Sequence, residues 1–97
     1  MILVSIKPSN RAEKKWEALF KMDGKERRVS FGGKGYGDYT TFGKDVREDK
    51  RRLYRSRHKG DKLSDPTSAG ALSWFILWGE SPNMEVNVKA FKKRFGI

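Results

Sequence analysis

Between Lys44 and Lys59 the chain places eight cations, Lys44, Arg47, Lys50, Arg51, Arg52, Arg55, Arg57 and Lys59, within about four turns of a helix of 3.6 residues per turn. At steps of three and four, Lys44, Arg47, Arg51, Arg55 and His58 form one stripe. Phe42, Val46 and Leu53 form a second, narrow apolar stripe that can dock the helix on a core. A helix held on one side and lined with guanidinium groups on another is suited to reading phosphates. The same charges also match a helix macrodipole, with Asp45, Glu48 and Asp49 first and cations last, and Glu48 and Arg52 are a favourable i,i+4 pair. Dipole matching needs only two or three cations, however, and a surplus of this size repels itself unless a partner relieves it.

Gly32-Gly33-Lys34-Gly35-Tyr36-Gly37 is the second feature with chemistry in it. Backbone N–H groups in such a loop can approach a phosphate closely, with Lys34 supplying charge and Tyr36 or Tyr39 a stacking face. Equally, the glycines can serve a tight connection from sheet to helix, the tyrosines covering the core edge. The loop is not a Walker A motif, because no Gly-Lys-Ser or Gly-Lys-Thr follows a four-residue spacer. Lys34-Gly35-Tyr36-Gly37 matches the opening of the RNP1 motif, but Asp38, Tyr39 and Thr41 then replace the Phe, Val and aromatic residue of that motif.

No cast for a reaction is present. His58 is the single histidine and there is no cysteine, so a zinc site lacks ligands. Asp38, Asp61, Asp65 and Glu80 are spread over loops without paired spacing. His58 reads as the end of a helix, its charge favoured by the dipole. Trp74 and Trp78, four apart on an apolar helix, read as core.

A net charge of +10 over 97 residues and a pI of about 10.1 point to nucleic acid, an anionic surface or an acidic protein as partner. A content of 12% aromatic residues against a mean hydropathy of -0.80 means that the few hydrophobes are large, which separates this chain from a disordered basic tail. The length suits one compact domain over residues 1–97. Met1 to Ile6 is too short and lacks the basic leader of a signal peptide, so the protein is expected not to be secreted. Ala69 to Trp78 is half of the roughly 20 residues that span a bilayer, so no membrane role is expected.

The elements that must position these residues are legible in outline. Ile2, Val4 and Ile6 alternate with Leu3, Ser5 and Lys7 as in a strand. Asp23-Gly24 signals a two-residue turn that pairs Met22 with Lys25, Phe20 with Arg27, Ala18 with Val29 and Trp16 with Phe31. One face then carries Trp16, Ala18, Phe20, Val29 and Phe31, and the other pairs Lys21 with Glu26 and Glu17 with Ser30. After the basic helix, Asp65-Pro66 predicts an N-cap and first helical residue, and the helix that follows runs to Gly79. It is apolar all round, so it is expected in the interior, Trp74 and Ile76 included. A last helix puts Met84, Val88, Phe91 and Phe95 on one face and ends at Gly96, while Lys89, Lys92, Lys93 and Arg94 extend the basic surface or merely solvate it.

Several stretches carry a resemblance: Lys15-Trp16-Glu17-Ala18, Phe31-Gly32, Lys34-Gly35-Tyr36, Asp38-Tyr39-Thr40, Arg57-His58, Asp65-Pro66-Thr67, Ile76-Leu77-Trp78 and Lys92-Lys93-Arg94-Phe95. In order and spacing they resemble a family of small basic proteins of giant nucleocytoplasmic DNA viruses, mimivirus-like and chlorovirus-like. That resemblance implies a viral origin and a virion- or genome-associated setting, in the virion or in the infected cell's cytoplasm or nucleus. It implies no mechanism.

The reading that follows is an α+β domain, a three-stranded antiparallel meander followed by three helices with the middle one buried. Its expected function is non-enzymatic, sequence-independent binding of nucleic acid, double-stranded DNA ahead of RNA, without a cofactor or metal. Lys34, Lys44, Arg47, Arg51, Arg55 and Lys59 are the expected phosphate contacts, with Tyr36 and Tyr39 as stacking faces. The alternative is a structural or minor virion protein whose basic face binds acidic protein partners.

Overall fold

The computed structural model describes all 97 residues. Strands β1 (Ile2–Pro8), β2 (Lys14–Met22) and β3 (Lys25–Gly33) form one antiparallel sheet in the order β1-β2-β3. Asp23 and Gly24 have φ angles of 50° and 77°, both positive, as a type I′ hairpin turn requires. The turn sets the pairing of Met22 with Lys25, Phe20 with Arg27, Ala18 with Val29 and Trp16 with Phe31, the register expected from the sequence. Alternation then buries Ala18, Phe20 and Phe31 and leaves Lys21 and Glu26 exposed. On the outer face Arg28 donates to Glu17 at 3.1 Å.

β1 departs from strict alternation. Leu3 pairs with Phe20 and Ile6 with Ala18, with a register shift between Leu3 and Ser5. This bulge takes up one residue, so Leu3 and Ile6, three apart, reach the same core side. Leu3 is buried, whereas Ile2 and Val4 are 58% and 51% exposed.

Three helices follow: α1 (Arg47–His58), α2 (Ala69–Leu72, continuing as a π-helical turn over Ser73–Leu77) and α3 (Met84–Phe95). α2 starts later than Asp65-Pro66 predicts. Ser68 is its N-cap, accepting from Ala71 N at 3.0 Å, while Asp65 closes a turn by accepting from Thr67 N and Oγ1 at 2.9 and 2.7 Å. Asn83 caps α3 by accepting from the N–H groups of Glu85 and Val86, and Gly96 ends it in the left-handed region.

The inner sheet face (Leu3, Ala18, Phe20, Phe31) packs with Leu72, Ile76 and Leu77 of α2 and Phe91 of α3 in one core. The result is an α+β meander with the middle helix inside. Not all of that helix is interior: Ile76 is fully buried, but Trp74 and Phe75 stay half-buried, Trp74 with the Arg55 guanidinium over its ring.

A buried helix end must satisfy its last carbonyls, and here other elements do so. Asn87 Nδ2 donates to Ile76 O at 2.9 Å, Tyr39 N to Leu77 O at 3.1 Å, and Arg55 to Trp78 O at 3.1 Å. Arg51 Nε reaches both Trp78 O and Gly79 O, at 3.2 and 2.9 Å. The end of α2 thereby gathers α1, α3 and the loop after β3.

Candidate nucleic-acid interface

Those hydrogen bonds reverse the expected orientation of α1. Of the apolar stripe only Phe42, ahead of the helix, packs against the core; Val46 and Leu53 are 38% and 55% exposed. Tyr54 is the one buried residue of the helix. Its ring stacks on Trp78 with centroids 4.6 Å apart and planes 7° from parallel, and on His58 at 4.3 Å. Burial pushes the Tyr54 hydroxyl pKa up to about 12.

The basic stripe flanks Tyr54 and therefore turns toward the protein. Arg47 and Arg51 sit over the Tyr39 ring, 5.6 and 5.4 Å from its centroid, and Arg55 lies 4.5 Å above Trp74. Guanidinium groups on aromatic faces supply the adhesion that the apolar stripe was expected to give. Burial, with the neighbouring Arg51 charge, lowers the Arg55 pKa. The expected continuous, exposed stripe from Lys44 to Arg55 is thus corrected: Lys44 precedes the helix, Arg47 is half-buried, and Arg51 and Arg55 are hydrogen-bonded to carbonyls. Lys34, Lys44 and Lys59 are exposed.

The glycine loop is ordered by Asp38, which is 2% exposed. Its carboxylate accepts from Lys15 Nζ at 2.8 Å and from Thr40 N at 2.8 Å, and its own N–H donates to Thr41 Oγ1. This network separates the two tyrosines. Tyr39 is buried and donates its hydroxyl to Glu48, a bond that, with burial, raises its pKa. It presents no free face, so it is corrected from a stacking candidate to a docking residue for α1. Tyr36 is 77% exposed.

Between this loop, the start of β2 and the cleft-facing flank of α1 lies an open cleft of about 1030 Å³. Lys14, Lys50, Arg57 and Lys62 line it, and none of the four is ion-paired. Its two carboxylates are engaged: Asp38 with Lys15 at 2.8 Å and Asp61 with His58 at 3.1 Å. Gly32, Gly33, Gly37, Gly60 and Gly70 keep its walls low, and Tyr36, Phe42, Tyr54 and Trp78 border it. No group of three or more His, Cys, Asp or Glu residues is placed to hold a metal ion.

A family model described as Family of unknown function (DUF5754) matches residues 4–58, more than half of the chain. The chain belongs to DUF5754. No curated protein and no solved structure matches it. In this DUF5754 protein the matched part runs from β1 to the end of α1 and includes Lys14, Tyr36, Lys50 and Arg57, while Lys62 and α2 lie beyond it.

Lys14, Lys50, Arg57 and Lys62 are the cleft cations that sequence reasoning did not select. One signal pointed to two of them. Lys50, Tyr54 and Arg57 recur at steps of four and three, so choosing Tyr54 as the anchor brings Lys50 and Arg57 to one flank of the docked face. Lys14 and Lys62 reach the cleft only through tertiary structure.

Proposed function

We propose that this protein is a non-enzymatic, sequence-independent nucleic-acid-binding protein whose phosphate contacts are centred on the cleft rather than on the arginine stripe. One observation carries the reading: four cations without an ionic partner, Lys14, Lys50, Arg57 and Lys62, line one concave surface whose two carboxylates are engaged elsewhere, Asp38 by Lys15 and Asp61 in a hydrogen bond with His58. Exposed Lys34, Lys44 and Lys59 add charge outside it. The net charge of +10 steers a polyanion toward the molecule. No set of side chains for reading bases stands out, so affinity rests on phosphates. The resemblance to small basic proteins of giant DNA viruses puts DNA first and favours a genome-associated setting.

Salt-titrated binding to random-sequence DNA tests this. Each phosphate contact adds roughly 0.7 to 0.9 to the logarithmic salt slope, so four contacts give a slope of about -3. Lys50→Ala with Arg57→Ala should weaken binding and reduce the slope by about 1.5 to 2 while the protein stays folded. An unchanged slope in that double variant would remove the cleft from the interface.

A second groove favours the alternative of an acidic protein partner. It has a volume of about 560 Å³ and is lined by Trp74, Phe75 and Phe91 together with Arg94, Glu80 and Arg55, the last already donating to Trp78 O. The Arg94 guanidinium lies 4.4 Å above Phe75. An acidic segment with apolar side chains would meet both characters there. Binding to such a partner would depend on its shape, and loss of nucleic-acid binding at physiological salt would shift the function to it.

A further inference from the structure

We propose that the cleft holds an unpaired strand, with one base stacked on the open face of Tyr36 and the neighbouring phosphates on Lys14, Lys50, Arg57 and Lys62. This deepens the nucleic-acid reading above and rests on it.

The first observation is the Tyr36 ring itself. It is 77% exposed, so it contributes little to the core, yet it stands on a loop whose backbone is hydrogen-bonded to the sheet end. A Cβ built on Gly33 would come within 2.8 Å of Tyr36 Cδ2, so one side of the ring lies directly against Gly33. Tyr36 N donates to Gly33 O at 3.3 Å and Lys34 N to Glu13 O at 3.0 Å, and Gly35 turns the loop with a φ of 89°. An aromatic face that is positioned but uncovered is a platform for a base, and stacking on it is tolerant of sequence.

The second observation is shape. The Arg47, Arg51 and Arg55 guanidinium groups face the protein's own aromatic rings and carbonyls, so α1 does not offer a convex arginine face to lie along a duplex. The unpaired cations line a concavity whose volume of about 1030 Å³ is on the scale of small-ligand sites, about 300–1,000 Å³. A strand with its bases splayed out fits such a space; a duplex has its bases stacked inside and would bring only its backbone to the rim.

The test compares three probes of about 12 nucleotides, a length within single-strand site sizes, across the same series of salt concentrations: oligothymidylate, the same strand with abasic sites throughout, and a duplex. Wild-type protein should bind oligothymidylate roughly 10-fold or more tighter than the abasic strand, since one stacked base supports a factor of that order. In Tyr36→Ala this ratio should collapse toward 1, with unchanged thermal stability and an unchanged salt slope, and Tyr36→Phe should restore it. An equal ratio in wild type and Tyr36→Ala, or tighter binding of the duplex than of oligothymidylate, overturns the stacking proposal while leaving phosphate binding in place. Absence of binding to all three probes overturns the nucleic-acid reading as well.

Discussion

Arg51 Nε stands 2.9 Å from the carbonyl oxygen of Gly79 and 3.2 Å from that of Trp78, so a residue with the appearance of a phosphate reader closes the C-terminal end of the buried helix. The C-terminal end of a helix carries partial negative charge, and a guanidinium that donates to the last carbonyls matches both that charge and the unsatisfied acceptors. The distinction between cations that build the protein and cations left for a partner is therefore set by the end of α2.

This gives a stability prediction with opposite outcomes on one helix. Arg51→Ala leaves Gly79 O without that donor, and hydrogen bonds to charged groups contribute about 1.5–3 kcal/mol, so a loss of that order is expected in urea denaturation. Lys50→Ala and Arg57→Ala, which remove cations without ionic partners, should change stability by no more than about 0.5 kcal/mol. Equal effects at the three positions would contradict the orientation of α1.

Why the orientation was hidden is a matter of one residue. Leu53 and Tyr54 are neighbours, and on a helix of 3.6 residues per turn the choice between them rotates the docking face by about 100°. Hydrophobicity favours Phe42, Val46 and Leu53. The docking surface, however, is made of aromatic faces and carbonyl oxygens, which accept arginines and a tyrosine in preference to leucine. Those carbonyls belong to the backbone of Trp78 and Gly79 and leave no mark in residue type. The hairpin was legible because the Asp23-Gly24 turn and the alternation through Phe20 and Val29 independently demand one register. In β1 the same alternation misled, since the bulge that buries Leu3 has no glycine or proline to announce it.

The register of the hairpin can be measured directly. Phe20 is fully buried and Lys21 exposed, so Phe20→Ala should cost about 3–5 kcal/mol and Lys21→Ala less than about 0.5 kcal/mol. Leu3→Ala should cost about 2–5 kcal/mol and Val4→Ala far less, because only the bulged register buries Leu3. Similar losses at Leu3 and Val4 would contradict the bulge.

Gly79 is predicted to tolerate no side chain. A Cβ there would stand 2.3 Å from Phe75 O and 2.7 Å from Asn87 Cγ. Neither can give way freely, since Asn87 Nδ2 donates to Ile76 O and Ser81 O at 2.9 and 2.7 Å. Gly79→Ala should therefore destabilise by roughly 1–3 kcal/mol, the usual range for overpacking, and should lower the melting temperature accordingly. A neutral effect would mean that the π-helical end of α2 relaxes without cost.

The last prediction concerns pH. The two hydrogen bonds from Thr67 hold the Asp65 carboxyl pKa below its ordinary value. A group with a depressed folded pKa contributes stability that is fully present above the ordinary unfolded value and is lost as the pH falls through the folded one. Thr67→Val removes the hydroxyl bond and keeps a side chain of similar size, so the Asp65 pKa should move up toward the ordinary carboxylate range. The stability difference between wild type and Thr67→Val should be constant near neutral pH and shrink as the pH is lowered through the acidic range. Denaturation at a series of pH values measures it, with the Asp65 titration followed by NMR as the control. A gap that stays constant through the titration of Asp65 would show that Thr67 acts through packing and not through its bond to the carboxylate.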